Sequence, residues 1–282
     1  MNYEQRLNLT LDFIGKHLDD ELTLEQLSSV AYFSKYHFHR LFTAYVGLSL
    51  QQYIKWLRLK RAAHQLVVHK DIAIVEIAFD AKFDSHEAFT RAFKQICGVS
   101  PNDFRLNSNW RLWENPPYYL PKREGKDMNV IIKNLPARRL AVLEHRGAPN
   151  KLGESIHKLI SWAKAQSVNL KPETGEAFGF AYDDPKQVLA ADFRFDLAIT
   201  IPKSLKLEGG VVEKELPAGR YAVAIHRGSR ENISDTVYEL YRNWLPNSKE
   251  ELAELPCIFC YYNFDHEVAE TELLTECWLL LK

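Results

Sequence analysis

The feature that most constrains this chain is a sixteen-residue segment that occurs twice, at residues 34–49 and 85–100. Both copies place serine, phenylalanine, arginine, phenylalanine, glycine and serine in the same register. Each begins with a serine that can cap a helix, and each ends near a glycine that can take the left-handed conformation of a helix terminus. The repeat therefore predicts two equivalent short helices, one from Ser34 to Gly47 and one from Ser85 to Gly98.

Each predicted helix has an apolar face and a polar face. Phe38 and Phe42 recur as Phe89 and Phe93 at helical spacing, so we expect them to face the interior. The opposite faces should be exposed and include one arginine each, and arginine to guanine is the commonest specific contact with a base. The candidate base readers are Tyr36, His39, Arg40, His86, Glu87, Thr90 and Arg91. Because duplex DNA presents its major groove once per turn, two such helices favour a DNA-binding protein.

A shorter helical pattern precedes each of these helices. Thr23 with Gln26 is a capping-box pair that can open a helix, and residues 74–81 are the equivalent piece before the second copy. A short helix, a tight turn and a second helix form a helix-turn-helix motif. Ser49 with Gln52 can cap a long connecting helix. The front of the chain is therefore predicted to be an all-α domain with two helix-turn-helix motifs.

The charge distribution assigns DNA contact to the front of the chain. Residues 1–107 carry a formal charge of +1 and residues 127–282 a formal charge of −4. Residues 26–70 contain seven lysines and arginines and no acidic residue, which suits contact with phosphates. On the connecting helix we expect four basic residues to face solvent or DNA: Lys55, Arg58, Lys60 and Arg61.

A second internal repeat, at an offset of 81 residues, organises the rear of the chain. Residues 135–147 and 216–228 are identical at nine of thirteen positions. Each is strand-like and is followed by a helical pattern and two more strand-like segments. The rear half is therefore predicted to be an α+β duplication of strand–helix–strand–strand units. The helical patterns cover residues 152–165 and 233–244, and the later strands cover residues 177–183, 193–201, 257–263 and 273–281.

A stretch rich in asparagine and proline separates the two halves and is typical of a linker. The predicted organisation is multidomain. Residues 1–107 form the double helix-turn-helix domain, residues 108–126 the linker, and residues 127–282 the duplicated domain.

The front domain matches a known pattern across both motifs. The matching residues are 24–28, Ala31, Ser34, Lys35, Phe38, Arg40, Phe42, Tyr53, Ile54, Arg58, Ile77, Ala78, Phe83, Phe89, 91–94, 98–101, Phe104 and Arg105. With these residues the domain resembles the DNA-binding domain of the AraC/XylS family of bacterial transcription regulators. The resemblance implies that both helices enter successive major grooves and that the seven candidates read bases. Lys82 departs from the family's usual glycine, which predicts a second turn that is either slightly strained or differently shaped. His86 and Glu87 replace frequent amides, so the target sequence should differ from those of relatives.

The rear domain matches a second pattern. The matching residues are 145–147, 179–180, 183–185, 193–196, 219–222, 226–228, 238–241, 244–246, Tyr261, Asn263 and 275–276. In these residues it resembles the GyrI-like small-molecule-binding domain, which implies two pseudo-symmetric repeats around a ligand cleft. Side chains alternate between the two faces of a strand, which places Phe178, Phe180 and Tyr182 on one face of one strand. Phe259 and Tyr261 share one face of another strand in the same way. The full set of candidate lining residues is Phe178, Phe180, Tyr182, Phe259, Tyr261, Glu276 and Trp278.

Phe259 departs from the pattern of this second family. Members that bind cations or hydrolyse substrates usually have glutamate at that position. Without it, recognition of a cation would depend on Glu276 or on aromatic rings. We therefore expect a small apolar or amphipathic ligand.

Together the two resemblances imply a ligand-controlled transcription regulator, an activator by family analogy. The implied partners are promoter DNA, a small-molecule effector and RNA polymerase, and the chain would act as a monomer or a homodimer. Two alternatives remain open. The rear domain could be a small-molecule hydrolase that uses Glu276 with Tyr261, or a protein-interaction module without a ligand.

Other patterns in the sequence predict no catalytic residues, metal site or cofactor. The four cysteines are dispersed in apolar contexts, which favours reduced thiols. Cys257 and Cys260 would point to opposite faces of a strand and could not chelate a metal together. No secretion signal or membrane-spanning run is recognised, so we expect a cytoplasmic protein.

Overall fold

The structure, a computed structural model, describes residues 2–110, 113, 128–168, 177–185, 187–264 and 267–282. The chain divides into two compact units, Met1–Lys122 and Arg123–Lys282, and each is described by itself. None of the described helices has the length and apolar character that crossing a membrane requires. Within the same described residues, no three His, Cys, Asp or Glu side chains are grouped closely enough to hold a metal ion.

The N-terminal unit is helical in its described part. Its helices are α1 (Tyr3–Lys16), α2 (Leu24–Val30), α3 (Lys35–Val46), α4 (Leu50–Val68), α5 (Ile74–Asp80), α6 (His86–Cys97) and α7 (Pro101–Leu106). The pairs α2–α3 and α5–α6 are the two helix-turn-helix motifs, and α4 connects them. The predicted all-α domain with two such motifs is confirmed. The sequence patterns do not predict α7, which starts with Pro101 after a Ser100 cap.

Most of the predicted helix ends are confirmed. Gly47 and Gly98 end α3 and α6 with φ values of +83° and +72°. The hydroxyl of Ser85 accepts a hydrogen bond from the Ala88 N–H at 3.1 Å. Ser34 occupies the equivalent position before α3, but its side chain forms no capping hydrogen bond. The predicted cap at Ser34 is therefore wrong, and α3 begins with one hydrogen bond less than α6.

The turn inside each motif contains a non-glycine residue in the left-handed region. Tyr32 has a φ of +54° in the first turn, and Lys82 has a φ of +61° in the second. A residue with a Cβ atom is disfavoured there by about 1–2 kcal/mol. The strain predicted at Lys82 is present, and the first turn shares it.

Lys82→Gly is expected to raise the free energy of unfolding by about 0.5–1 kcal/mol. Relief of the strained backbone exceeds the extra freedom that glycine gives the unfolded chain. Lys82 is exposed, so the change removes no packing. The matched control is Lys82→Ala, because alanine loses the same side chain and keeps the strain. Urea unfolding of both variants measures the difference, and equal midpoints would show that this turn is unstrained.

The long helix α4 joins the cores of the two motifs, as predicted. The ring of Tyr53 meets that of Phe42 on α3, with centroids 5.5 Å apart. Further along α4, Leu59 and Leu66 are fully buried in a cluster with Phe89 of α6. The two motifs therefore share one helix as their common support.

Two tryptophans from the predicted linker belong to the core of the N-terminal unit. Trp113 is 3% exposed, and its ring centroid lies 5.9 Å from that of Trp56. Trp110 packs edge-on against Phe104, with centroids 5.5 Å apart. The prediction that residues 108–126 form a linker is wrong for this first part, because the aromatic rings bury apolar area in the preceding domain. Most of the remainder lies outside the described residues.

The C-terminal unit is built on one eight-stranded antiparallel sheet. Its strands are β1 (Val130–Leu135), β2 (Arg138–Arg146), β3 (Ala177–Ala181), β4 (Arg194–Thr200), β5 (Val212–Leu216), β6 (Gly219–Arg227), β7 (Cys257–Tyr261) and β8 (Leu274–Leu280). They lie in the order β1-β6-β8-β7-β3-β4-β2-β5. Helix α8 (Leu152–Ala165) follows β2. Helix α9 (Ile233–Glu239) follows β6 and continues through a π-helical turn (Leu240–Trp244) into α10 (Leu245–Ser248). The predicted α+β duplication is confirmed.

Each repeat has one strand more than the predicted unit, and that strand is exchanged. β1, at the start of the first repeat, pairs with β6 of the second. β5, at the start of the second repeat, pairs with β2 of the first. The sheet is therefore symmetric about its central pair, β3 and β7.

The histidine of the repeated His-Arg-Gly segment fastens a helix to the sheet in each repeat. Nδ1 of His145 lies 2.9 Å from Oγ of Ser155 on α8, and Nδ1 of His226 lies 2.8 Å from Oγ1 of Thr236 on α9. Nε2 of His226 donates to the carbonyl of Ser229 at 2.8 Å. Packing between helix and sheet thus explains why the histidine recurs.

Candidate DNA-reading helices and ligand-binding face

Helix α6 presents its candidate base readers to solvent. His86, Glu87 and Arg91 are exposed, and Thr90 is half-buried. Phe89, on the opposite side of the helix, is fully buried and fixes which face points outward. The polar face of α6 is therefore placed as the sequence predicts.

Glu87 is held as a carboxylate in the first turn of α6. Hydrogen bonds from its own backbone N–H and from the Ser85 hydroxyl lower the pKa of the Glu87 carboxyl. A negative charge is also stabilised at this end of a helix. Towards DNA, a carboxylate can accept from the N4 amino group of cytosine, whereas it repels phosphates. Glu87 would thus restrict which base can lie opposite it, and it would not increase affinity for DNA of any sequence.

Helix α3 has a wider buried face than α6. Eight of its twelve residues are buried, against four of twelve in α6. Tyr36 and His39 are half-buried, and Arg40 is only 3% exposed. The expectation of an exposed arginine is wrong at Arg40, because His37 and Ala44, one turn to either side, are buried too. A base contact by Arg40 stays a prediction and requires its side chain to move.

Two arginines of the predicted basic patch are paired with groups of the N-terminal unit itself. Nε of Arg58 donates to the carbonyl of Leu18 at 3.0 Å. Arg61 forms a two-point ion pair with Asp19, with N–O distances of 2.6 and 3.0 Å. Both arginines hold the segment between α1 and α2 against α4 while remaining partly exposed, so contact of either with DNA stays a prediction. Lys55 is exposed, as predicted.

The strand register places most of the candidate ligand-binding residues on one face of the sheet. Phe178 lies opposite Cys260, and Cys260 lies opposite Glu276. Trp278 and Phe180 both lie opposite Ile258 and share this side, which is called the Trp278 face. Five of the seven candidates belong to it: Phe178, Phe180, Tyr182, Glu276 and Trp278.

The other two candidates lie on the opposite face. Phe259 pairs with Gly179, and Tyr261 pairs with Thr275, which also lies opposite His226. This side is called the histidine face, because His226 there contacts α9. The expectation that Phe259 and Tyr261 line the same cleft as the others is wrong. Their strand was predicted, but its register relative to β3 was not.

This division also removes the basis of the hydrolase alternative. Tyr261 and Glu276 stand on opposite faces of the sheet, so they cannot act on one substrate together. The tyrosine that contacts Glu276 is Tyr262, whose hydroxyl donates to Oε2 at 3.2 Å.

Glu276 is the centre of a buried polar cluster on the Trp278 face. Its Oε1 accepts from Nζ of Lys133 at 2.8 Å, and its Oε2 accepts from Nε1 of Trp278 at 2.8 Å. Burial, with Cys260 and Glu276 nearby, raises the pKa of Tyr262, so its hydroxyl stays a donor. The carboxylate is thus neutralised and hydrogen-bonded by the chain itself.

Asp196, in the first repeat, is the centre of an equivalent cluster that takes its lysine from the second repeat. It is fully buried and accepts from Nζ of Lys214 at 2.6 Å, from Arg146 at 2.7 Å and from the Tyr182 hydroxyl at 2.8 Å. Burial and the Asp196 carboxylate raise the pKa of Tyr182 to about 12. Burial acts to lower the pKa of Lys214, but hydrogen bonds to Asp196 and Glu144 outweigh it and raise that pKa.

The two clusters are copies of one arrangement, in which an acid, a tyrosine and a lysine meet. Tyr182 and Asp196 recur as Tyr262 and Glu276 at an offset of 80 residues, and Lys133 recurs as Lys214 at 81. The sequence reasoning missed both lysines, Asp196 and Tyr262. The signal that could have found them is the internal repeat, extended beyond the thirteen residues where it is densest.

Comparison with known proteins agrees with this two-part architecture. Residues 27–107 match the helix-turn-helix domain family, and residues 128–282 match the GyrI-like small molecule binding domain family. The chain therefore falls in the class of transcription regulators with an AraC-type DNA-binding domain. By its match over more than half its length, the chain belongs to the GyrI-like family.

Several proteins resemble parts of the chain. The probable transcriptional regulator YgiV of Escherichia coli (strain K12) is 37% identical over 157 residues, 55% of this chain and 96% of YgiV. The TetD protein of transposon Tn10, from Escherichia coli, is 40% identical over 100 residues, 36% of this chain and 72% of TetD. The crystal structure of the EcmrR C-terminal domain aligns at 16% identity with a TM-score of 0.45, covering 55% of this chain and 98% of that domain.

Proposed function

We propose that this chain binds a specific promoter sequence through α3 and α6, and that a small amphipathic molecule bound by its C-terminal unit controls this activity. The observation that carries the proposal is the pair of equivalent helix-turn-helix motifs, with the polar face of α6 exposed. Two reading helices in one chain let a monomer contact two successive grooves. Activation, through contact with RNA polymerase, is the mode that the AraC-type resemblance supports.

Ligand control requires a difference in affinity between two states of the chain. A ligand shifts an equilibrium only by as much as it binds one state better than the other. The buried position of Arg40 supports two states, since a base contact needs this side chain to leave its place. We also place the end of the DNA-binding domain after Trp113, because that residue completes its core.

The test starts from an operator selected by the full-length protein from a pool of randomised duplexes. Arg91→Ala is expected to weaken binding to that operator by about 1–3 kcal/mol, or about 5–150-fold, if Arg91 makes a two-point contact with guanine. Fluorescence anisotropy with a labelled duplex measures the change. Arg91→Ala should also reduce discrimination between bases at one position of the operator only.

The matched control is Lys16→Ala, which removes one positive charge from an exposed site on α1. It should change affinity much less than Arg91→Ala. If both variants bind the operator as the wild type does, Arg91 does not read a base. Arg40→Ala is a poorer probe, because removal of a buried side chain also lowers stability.

A further inference from the structure

The two outer strands of the eight-stranded sheet, β1 and β5, carry different side chains along their free edges. Among the described residues, β1 pairs with β6 alone and β5 pairs with β2 alone. An edge strand presents unpaired N–H and C=O groups to which another strand can bind, and charged side chains on the edge oppose such binding. Because β1 and β5 are equivalent strands of the internal repeat, their edges can be compared position by position.

Strand β5 has the charged edge. Residues 213–215 are Glu-Lys-Glu, whereas the equivalent residues of β1, at 132–134, are Ile-Lys-Asn. β1 therefore lacks both glutamates, and isoleucine replaces the first of them. The protection that charge gives to one end of the sheet is missing at the other end.

Strand β1 also exposes two adjacent apolar side chains. Ile131 is 48% exposed and Ile132 is 42% exposed. Nζ of Lys133 reaches Glu276 on the Trp278 face, so alternation places Ile131 on that face and Ile132 on the histidine face. Both sides of this edge are therefore apolar. A strand added alongside β1 would pack its side chains against both isoleucines.

A second copy of the chain is the occupant that fits this edge. Two β1 strands can pair antiparallel about a two-fold axis perpendicular to the sheet, and every side chain then stays on its own face. When Ile132 lies opposite its counterpart, Lys133 lies opposite Ile131 of the second copy. The two lysines do not face each other, so no like charges oppose across the pair. The strand is therefore complementary to itself in both apolar pattern and charge.

The charged edge of β5 limits such pairing to two copies. Pairing of β1 with β5 of another copy would leave one free β1 and one free β5, so the association could continue without limit. Glu213 and Glu215 on the edge of β5 oppose this arrangement. Pairing of β1 with β1 is closed, because each copy has one such strand.

We propose that the chain forms a two-fold symmetric dimer in which β1 of one copy pairs antiparallel with β1 of the other. The sheets of the two C-terminal units become one continuous sheet, and Ile131 and Ile132 supply the apolar contacts across the new pair. This pairing does not depend on the ligand-binding role proposed above, because no ligand takes part in it.

Sedimentation equilibrium of the full-length protein, over a range of micromolar concentrations, measures the association, and the wild type should be a dimer. Ile132→Glu copies the glutamate at the equivalent position of β5. It should raise the dissociation constant at least about tenfold, because the change acts in both copies and sets two like charges against each other. The matched control is Val212→Glu on the edge of β5, where the side chain is 43% exposed. This variant should leave the dissociation constant unchanged.

Hydrogen exchange measured by mass spectrometry locates the interface and needs only the wild type. Amides of residues 130–135 should exchange more slowly as the protein concentration rises through the dissociation constant. Amides of β5, at residues 212–216, should exchange at the same rate throughout. In Ile132→Glu, whose fold circular dichroism checks, the slowing at residues 130–135 should be lost.

Four results would overturn this pairing. A wild type that sediments as a monomer excludes the dimer. A dimer that Ile132→Glu leaves intact has its interface elsewhere. Slow exchange of residues 130–135 at every concentration means that another segment of the same chain occupies the edge. Open-ended association that Val212→Glu abolishes means that β1 pairs with β5 of the next copy.

Discussion

Trp113→Ala is expected to lower the free energy of unfolding of the N-terminal unit by about 3–5 kcal/mol, the range for removal of a buried tryptophan or phenylalanine side chain. The ring centroid of Trp113 lies 6.3 Å from that of Phe93 and 5.9 Å from that of Trp56. The change would open a cavity between α4 and α6. Far-ultraviolet circular dichroism in urea follows the loss of helix in this unit.

Two controls define the cause of this loss. Trp113→Phe should cost less, because a six-membered aromatic ring remains in the core and the indole N–H has no hydrogen-bond partner among the described residues. Leu106→Ala, at a side chain that is 72% exposed, should change stability by less than about 0.5 kcal/mol. A fragment that ends at residue 107 should behave like Trp113→Ala, whereas one that ends at residue 122 should be stable. Equal stability of the two fragments would show that Trp113 is not part of the core.

Gly179→Ala is expected to destabilise the C-terminal unit by up to about 3 kcal/mol, the upper end of the cost of overpacking a core. Gly179 lies in β3, between β4 and β7. A Cβ atom added there would lie 2.8 Å from Cε1 of Phe195 and 2.6 Å from the hydroxyl of Tyr261. Both rings belong to packed strands, so a ring or its strand must shift to make room. Thermal or urea unfolding of the variant measures the cost.

Gly153→Ala is the control, and it is expected to change stability in the opposite direction. Gly153 is exposed within α8, and a Cβ atom there would meet nothing within 4 Å. Alanine should therefore stabilise the helix, by up to about 1 kcal/mol. Unchanged stability of Gly179→Ala would mean that the rings of Phe195 and Tyr261 do not confine β3.

Sequence patterns predicted the local structure well, because local structure follows from short-range chemistry. Ser85, Gly47 and Gly98 bound helices through their own backbone preferences, and alternation located the later strands of both repeats. The exchange of β1 and β5 could not be predicted in this way. It depends on pairing between strands that are far apart in the sequence.

The candidate ligand site shows the same limit at the level of single residues. Alternation states that Phe259 and Tyr261 share a face, and that Phe178 and Phe180 share a face. Whether these faces coincide depends on the register between β3 and β7, which has no local signal. The internal repeat contains this information, since it aligns Tyr182 with Tyr262 and thereby puts Tyr261 on the other side.

Arg40 shows why amphipathic spacing can mislead on a helix. The spacing of Phe38 and Phe42 predicts where the interior begins but not how wide it is. Neighbouring residues such as His37 are buried by tertiary contacts that their polarity does not suggest. The duplicate helix α6 has the same spacing and a narrower buried face, so the pattern succeeds there for Arg91.

The exchanged strands make the two repeats inseparable. A protease nick in the connection between β4 and β5 would leave two interlocked fragments, each holding the edge strand of the other's half. Those fragments should stay associated, and when expressed separately should find each other by complementation. Neither fragment alone contains a complete half of the sheet. The intact C-terminal unit should therefore unfold in a single transition, and its two repeats should not unfold separately.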